Sequence, residues 1–434
     1  MSITSPVFLS LYLPLVPLGL WLCGRARHGE TLQRLWLMLC SLLFLVLSDP
    51  GQCWVPLLLI VAACLLPRWG KVGCGLLTAL SLGLLLVTRL VSGSMPVGLS
   101  FMAVQTIAMA EDIRRGRATR PGFGETVLTL SFYPKYSAGP IVRLDGTFAP
   151  RGRLGLDAEA LERGLTRVAV GLGKKLLIAD ALSPLLQSCY GAAHPFAAWS
   201  ALVLAPIVVY FDFSGHVDMA CGIARMLGIT LPENFDHPFC AASMRQFWRK
   251  WHITLSRFFM DYLYIPLGGS RRGQARTCLH LLLVFLASGL WHGFTGCYLA
   301  FGLIHAAAVI LEHLGVTRPE RWSSVPRRLY VCGVAAVSFV VFMAPSLGDV
   351  LTWLRSLTAF GADLTACGTF LTRLTVERQI ALAAVLAIAL FGERLRGWLE
   401  KHPLVRRALV SALLIVAYAH ALSAGRSLPL YAQF

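Results

Sequence analysis

Long apolar runs recur along nearly the whole chain: "VFLSLYLPLVPLGLWLCG", "LWLMLCSLLFLVLS", "CWVPLLLIVAACLL", "VGCGLLTALSLGLLLVTRLV", "WSALVLAPIVVYF", "VCGVAAVSFVVFMA" and "ALVSALLIVAYAHAL". Nothing constrains the fold more. In lipid each such segment must satisfy its own backbone N–H and C=O groups, and an α-helix does so within one segment. A span takes about 20 residues, so the runs predict an all-α polytopic membrane protein with roughly ten to twelve transmembrane helices. Several runs are shorter or interrupted by polar residues and are expected to be re-entrant or interfacial. Composition agrees. Only 14% of the 434 residues are charged, against about 25% in soluble domains. No soluble domain boundary and no solenoid or inverted repeat is visible. The expectation is one membrane domain over 1–434, with N-terminal helices in 1–95, a core of about 96–315 and C-terminal helices in 316–434.

Charge placement gives an orientation. "MSITSP" carries no charge before the first apolar run and so lacks a signal peptide's basic start. Arg25, Arg27 and Arg34 follow that run; "DPGQ" has no basic residue; "PRWGK" has two; "SGSM" has none; "EDIRRGRATR" has four arginines. This alternation places loops 25–34, 67–71 and 111–123 in the cytosol and the N-terminus outside, by the positive-inside rule. A net charge of +17 is then a matter of topology and anionic lipid headgroups, not nucleic acid. The twelve cysteines are scattered without a CxxC pair, mostly in apolar runs, and read as small buried hydrophobes.

Polar density rises sharply from Tyr210 to Gly273, in "YFDFSGHVDMACGIARMLGITLPENFDHPF" and "CAASMRQFWRKWHITLSRFFMDYLYIPLGGSRRG". Aromatics stay abundant there, unlike in a flexible linker. At 100° per residue, Arg245 to Tyr262 forms one sided helix. Trp248, Trp251, Leu255, Phe258, Phe259 and Tyr262 fall on one arc, and Arg245, Arg249, His252 and Ser256 stack on another. Such a helix either anchors at the interface or lines a protein groove. Upstream, Asp212, Ser214, His216 and Asp218 follow an apolar run directly, and at membrane depth they must find partners or water. Structural hydrogen bonding is the plainer role for all four.

His292 lies in "SGLWHG", between Gly289 and Gly293 within a strongly apolar region. The glycines allow close approach of backbone or ligand, and a neutral imidazole can take a proton from a reacting hydroxyl. A satisfied core histidine is the plainer alternative. Metal chemistry has little support, because neither His252 nor His292 has a second ligand at i+3 or i+4 and no HExxH or Cys/His cluster occurs. No GxSxG elbow, Walker loop or GxGxxG cradle is present.

Taken in order, "SPVFLSLYLPLV", "PVGLSFMAVQTIAMAEDIRRG", "SFYPKYSAGPIVR", "GLGKKLLIAD", "DFSGHVDMACGIARMLGITLPENFDHPF", "FWRKWHITLSRFFMDYLYIPLGG" and "SGLWHG" resemble the membrane-bound O-acyltransferase family, closest to its alginate O-acetyltransferase-like branch. The resemblance covers about residues 1–315. It implies a helical ring with a thin centre and a central tunnel, where a cytosolic acyl thioester meets an extracytoplasmic acceptor. His292 matches the family's membrane histidine and His252 its second functional position. The resemblance then implies His292 as general base, and His252 as the group that orients the thioester or stabilises charge. Asp212, Ser214, Arg249, Trp248 and Trp291 are the candidate substrate-binding residues.

The implied activity is transfer of an acetyl group from acetyl-CoA across a bacterial inner membrane to a polysaccharide such as alginate or cellulose. No permanently bound cofactor is expected. The implied partner is a periplasmic SGNH-type acetyltransferase or hydrolase. The branch often carries tyrosine where this chain has His216. The chain's length is closer to D-alanyl transfer proteins, so D-alanyl transfer from a carrier protein is the rival activity. A transporter of acyl or sugar intermediates is the rival outside enzymology, but it predicts discontinuous helix pairs in repeat positions, and none is found.

Overall fold

The computed structural model describes residues 1–91, 95–143, 154, 157–190, 194–359, 368 and 371–424. The expected extracytoplasmic turn at 93–95 lies mostly outside them. Among the described residues the chain is helical, and seven segments are long and apolar enough to cross a membrane: Gly29–Ser48, Trp54–Val91, Pro195–Met226, Gln274–His292, Gly296–His313, Ser324–Met343 and Pro403–Ser423. The apolar runs suggested more spans. Some of them fold as shorter helices, such as Phe8–Gly24. Leu35, Leu39 and Leu43 on the helix Gly29–Ser48 are exposed, as lipid-facing side chains are. Pro403–Ser423 is almost uncovered by protein, which leaves lipid to cover it.

The chain forms two compact units, one of residues 1–173, 213–233 and 407–434 and the other of 174–212 and 234–406. In the first, Leu99–Arg114 is buried along nearly its whole length and packs on Gly70–Val91. Its Gln105 takes a 2.6 Å hydrogen bond from buried Lys135. The segment after Phe123–Ser131 is also buried, and Ser137 Oγ lies 2.9 Å from His216 Nε2. Arg167 bridges Asp218 at 2.9 Å and Glu233 at 2.5 Å. Two of the polar residues singled out upstream, His216 and Asp218, thus have structural partners.

The second unit is built on a helical hairpin, Gln274–His292 and Gly296–His313, with Ser324–Met343 packed on its second arm. A Cβ at Gly289 would collide with the Tyr298 carbonyl oxygen, and one at Gly302 with that of Phe285. These glycines are where the hairpin's backbones approach most closely.

The single helix expected over Arg245–Tyr262 does not form. Two short helices, Met244–Lys250 and Ile253–Phe259, are separated by an extended Trp251 (φ −105°, ψ 127°) and a left-handed His252 (φ 43°, ψ 54°), and Met260–Tyr264 is a π turn. Tertiary pairing overrides the helical period. Trp251 forms an antiparallel bridge with Phe235. Asp236 N–H donates to the Lys250 carbonyl and Ile253 N–H to the Asn234 carbonyl, each at 3.0 Å. Arg245 and His252 therefore do not share a helix face.

Candidate active site

His252, His292 and the aromatic rings around them all belong to the second unit. His292 is the last residue of Gln274–His292, and it is buried. Gly293 carries the chain out of the helix in extended geometry. Thr295 then caps the next helix by accepting from Tyr298 N–H at 3.5 Å. That reversal brings the second helix back against His292. Ring centroids lie 4.8 Å from Trp291, 4.9 Å from Phe342, 6.0 Å from Tyr298 and 6.0 Å from Phe301. Phe342 comes from Ser324–Met343, so three successive helices build the wall.

His252 reaches the same wall from the opposite direction in sequence. Its ring lies 6.1 Å from the Trp291 indole, so Trp291 contacts both histidines. A non-glycine residue in the left-handed region is uncommon, and such strain clusters at functional sites. The break at Trp251 turns His252 out of the helical register of Met244–Lys250. Burial pushes the His252 imidazole down to about 3, because an apolar surrounding disfavours the imidazolium. The ring is neutral at physiological pH and offers one donor and one acceptor.

Trp248 belongs to this cluster as well. Its indole N–H donates to His305 Nδ1 at 3.3 Å, and its ring meets Phe285 at 5.3 Å and Phe301 at 6.3 Å. Arg249, on the same short helix, is exposed. Asp212 is buried in an ion pair with Lys175 at 2.7 Å, and Lys175 also reaches Asp180 at 2.5 Å. Such buried charges are held by one another. Ser214 belongs to the first unit, where its buried hydroxyl has no hydrogen-bond partner among the described residues. The structure thus gathers His252, His292, Trp248 and Trp291 around one aromatic cluster, places Arg249 at the surface, and commits Asp212 to Lys175. Among the described residues no group of three His, Cys, Asp or Glu side chains is placed to hold a metal.

Three residues given no role from the sequence hold the elements of this unit together. His305 is fully buried between Phe301 at 4.7 Å and Trp248 at 4.8 Å. Glu312, two turns further along the same helix, accepts from Met244 N–H at 2.6 Å and Arg245 N–H at 3.1 Å. Asn234 accepts from Thr254 N–H at 3.1 Å and from its hydroxyl at 2.7 Å. A histidine and a glutamate seven residues apart on an apolar helix were a legible signal. Asn234 lies inside "LPENFDHPF" with no neighbouring residue to mark its partner.

Comparison with known proteins supplies the class of chemistry. The family model for membrane-bound O-acyltransferases matches residues 107–348. The chain is 29% identical to the probable alginate O-acetylase AlgI of Azotobacter vinelandii, over 91% of this chain and 85% of that protein. It is 30% identical to the protein of the same description from Pseudomonas putida, over 83% and 81%. It is 39% identical to the peptidoglycan O-acetyltransferase of Helicobacter pylori, over 43% and 37%. The family match contains His252, His292 and the helices that bring them to one indole. This multi-pass membrane protein belongs to the membrane-bound O-acyltransferase family and is an O-acyltransferase.

Proposed function

We propose that the protein transfers an acetyl group from acetyl-CoA on the cytosolic side to a hydroxyl of an extracytoplasmic polysaccharide, with His292 as general base. The observation that carries the reading is the meeting of His252 and His292 on the Trp291 indole, from two separate elements. In the reaction the acceptor O–H gives its proton to His292 as its oxygen attacks the thioester carbonyl. The tetrahedral intermediate collapses with cleavage of the C–S bond, and the imidazolium returns the proton to the leaving thiolate, giving ester and free thiol. His252, neutral and fixed, donates to the carbonyl oxygen as charge develops there. General base and oxyanion donor are each worth roughly 10²-fold or more in a dry site. The names of the relatives, alginate O-acetylase and peptidoglycan O-acetyltransferase, support an acetyl group and a cell-envelope or exopolysaccharide acceptor. A periplasmic SGNH-type partner would complete delivery to the polymer, in an inner membrane with the N-terminus outside.

Purified protein in liposomes, given labelled acetyl-CoA, tests the reading. Release of CoA with label passing to an acceptor hydroxyl is expected. Label release only from a D-alanyl carrier thioester would replace acetyl by D-alanyl. Solute flux without acyl release would reject an acyltransferase.

A further inference from the structure

Asn234 sits beside His252 in a position that fixes which way its carboxamide faces. Thr254 N–H can only donate, so the Asn234 atom 3.1 Å from it is the oxygen. The same oxygen accepts the Thr254 hydroxyl at 2.7 Å. Both bonds hold the first turn of Ile253–Phe259, and the Asn234 carbonyl holds Ile253 N–H. The amide nitrogen, with two N–H donors, is thereby turned away from Thr254. Asn234 is fully buried, and Nδ2 has no hydrogen-bond partner among the described residues.

A buried donor left unsatisfied pays its desolvation with no bond in return. An aliphatic residue here would avoid that cost but lose the two acceptor bonds. Serine or aspartate would keep an acceptor without leaving two donors over. A buried donor that the protein leaves unsatisfied calls for an explanation, a catalytic role being one, and residues in strained backbone cluster at functional sites. The residue so placed is His252, clamped between Trp251 paired to Phe235 and Ile253 bonded to Asn234 itself.

We propose that the Asn234 carboxamide is a further catalytic residue, donating an N–H to the thioester carbonyl oxygen next to His252 and holding the negative charge that develops on it during attack. The inference rests on the acyl-transfer reading above. It gives the oxyanion two donors, one on Asn234 and one on His252, from backbone segments joined by the Asn234–Ile253 bond. The proton transferred in the reaction stays with His292; Asn234 neither gains nor loses one. The structural role of Asn234, capping through oxygen, and its proposed chemical role, donating through nitrogen, use different atoms, and substitutions separate them.

The test compares Asn234→Asp and Asn234→Ser with wild type in proteoliposomes, following CoA release from acetyl-CoA, with thermal unfolding of the same monodisperse preparations. Aspartate keeps the acceptor for Thr254 and replaces the donors by an oxygen; serine keeps a small acceptor and adds no charge. Both are expected to lose about 10²-fold in kcat, the size of one lost oxyanion donor, with KM nearly unchanged. The ratio of Asn234→Asp to wild-type kcat should rise as pH falls, since a protonated carboxyl regains a donor, while the serine ratio stays flat. Near-wild-type kcat in either folded variant, a loss accounted for entirely by a smaller folded fraction, or an aspartate ratio flat with pH would overturn the assignment while leaving the acyltransferase reading intact. Absence of CoA release by wild type itself would remove the acetyl-transfer reading and this inference together.

Discussion

His292 stands against Trp291, Tyr298, Phe301 and Phe342, and its chemistry is best separated from its packing by choice of replacement. His292→Gln keeps polarity and hydrogen bonding but has no basic nitrogen, so CoA release should fall by about 10²–10⁴-fold while detergent stability stays near wild type. Retained turnover would remove the general-base role. Because His252 and His292 are proposed to act in one transition state, their losses should be strongly non-additive. The double alanine variant should be hardly slower than either single one in single-turnover assays, and multiplicative losses would separate the sites. Lys175 makes the opposite kind of prediction. Its ammonium holds Asp212 and Asp180, and removing one partner of a buried pair costs about 3–5 kcal/mol. Lys175→Ala should lower the melting temperature far more than His292→Gln does, and an unchanged midpoint would show that the pair is not needed for folding. His292 was legible because glycine, tryptophan and apolar neighbours mark one short stretch. Asn234 was not, because its meaning comes from an atom supplied by a distant segment.

The short helix Met244–Lys250 is held at two points by the helix Gly296–His313, Glu312 at its N-terminus and His305 at Trp248. Ser243 supplies the local cap, accepting from Gln246 N–H at 3.2 Å, but a helix of seven residues has little stability of its own. Glu312→Ala leaves the buried Met244 N–H and the half-buried Arg245 N–H without their acceptor and should reduce both melting temperature and turnover. Glu312→Gln keeps an acceptor oxygen and should recover most of both; equal behaviour of the two variants would show that the carboxylate's place in the helix, not its bonds, matters. Helical periodicity across Arg245–Tyr262 was real in the sequence, yet the element is broken at Trp251 and His252. Periodicity counts only side chains along one segment. The backbone bonds from Phe235, Asp236 and Asn234 that stop the helix belong to another.

For the whole molecule, the basic loops predict an orientation that labelling can check. In a cysteine-free background, Gly116→Cys should react with a membrane-impermeant maleimide only after the cytosolic face is opened, and Gly51→Cys should react from outside. Both positions have open space for a side chain. Reaction of both from one side would reverse the assignment of donor and acceptor faces. The apolar runs, the low charge and the alternation of arginine-rich loops determined by themselves that the chain is a polytopic helical membrane protein, because lipid admits few backbone solutions and each span carries its own hydrogen bonds. The motif "SGLWHG" likewise marked His292 as a candidate. Tertiary structure alone decided that His252 leaves helical geometry, that Trp291 joins it to His292, that Asp212 is occupied by Lys175, and that Asn234 turns its nitrogen away from Thr254. Each of these depends on hydrogen bonds and ring contacts between segments far apart in the chain, and no local pattern of residues encodes which distant partner a buried polar atom will meet.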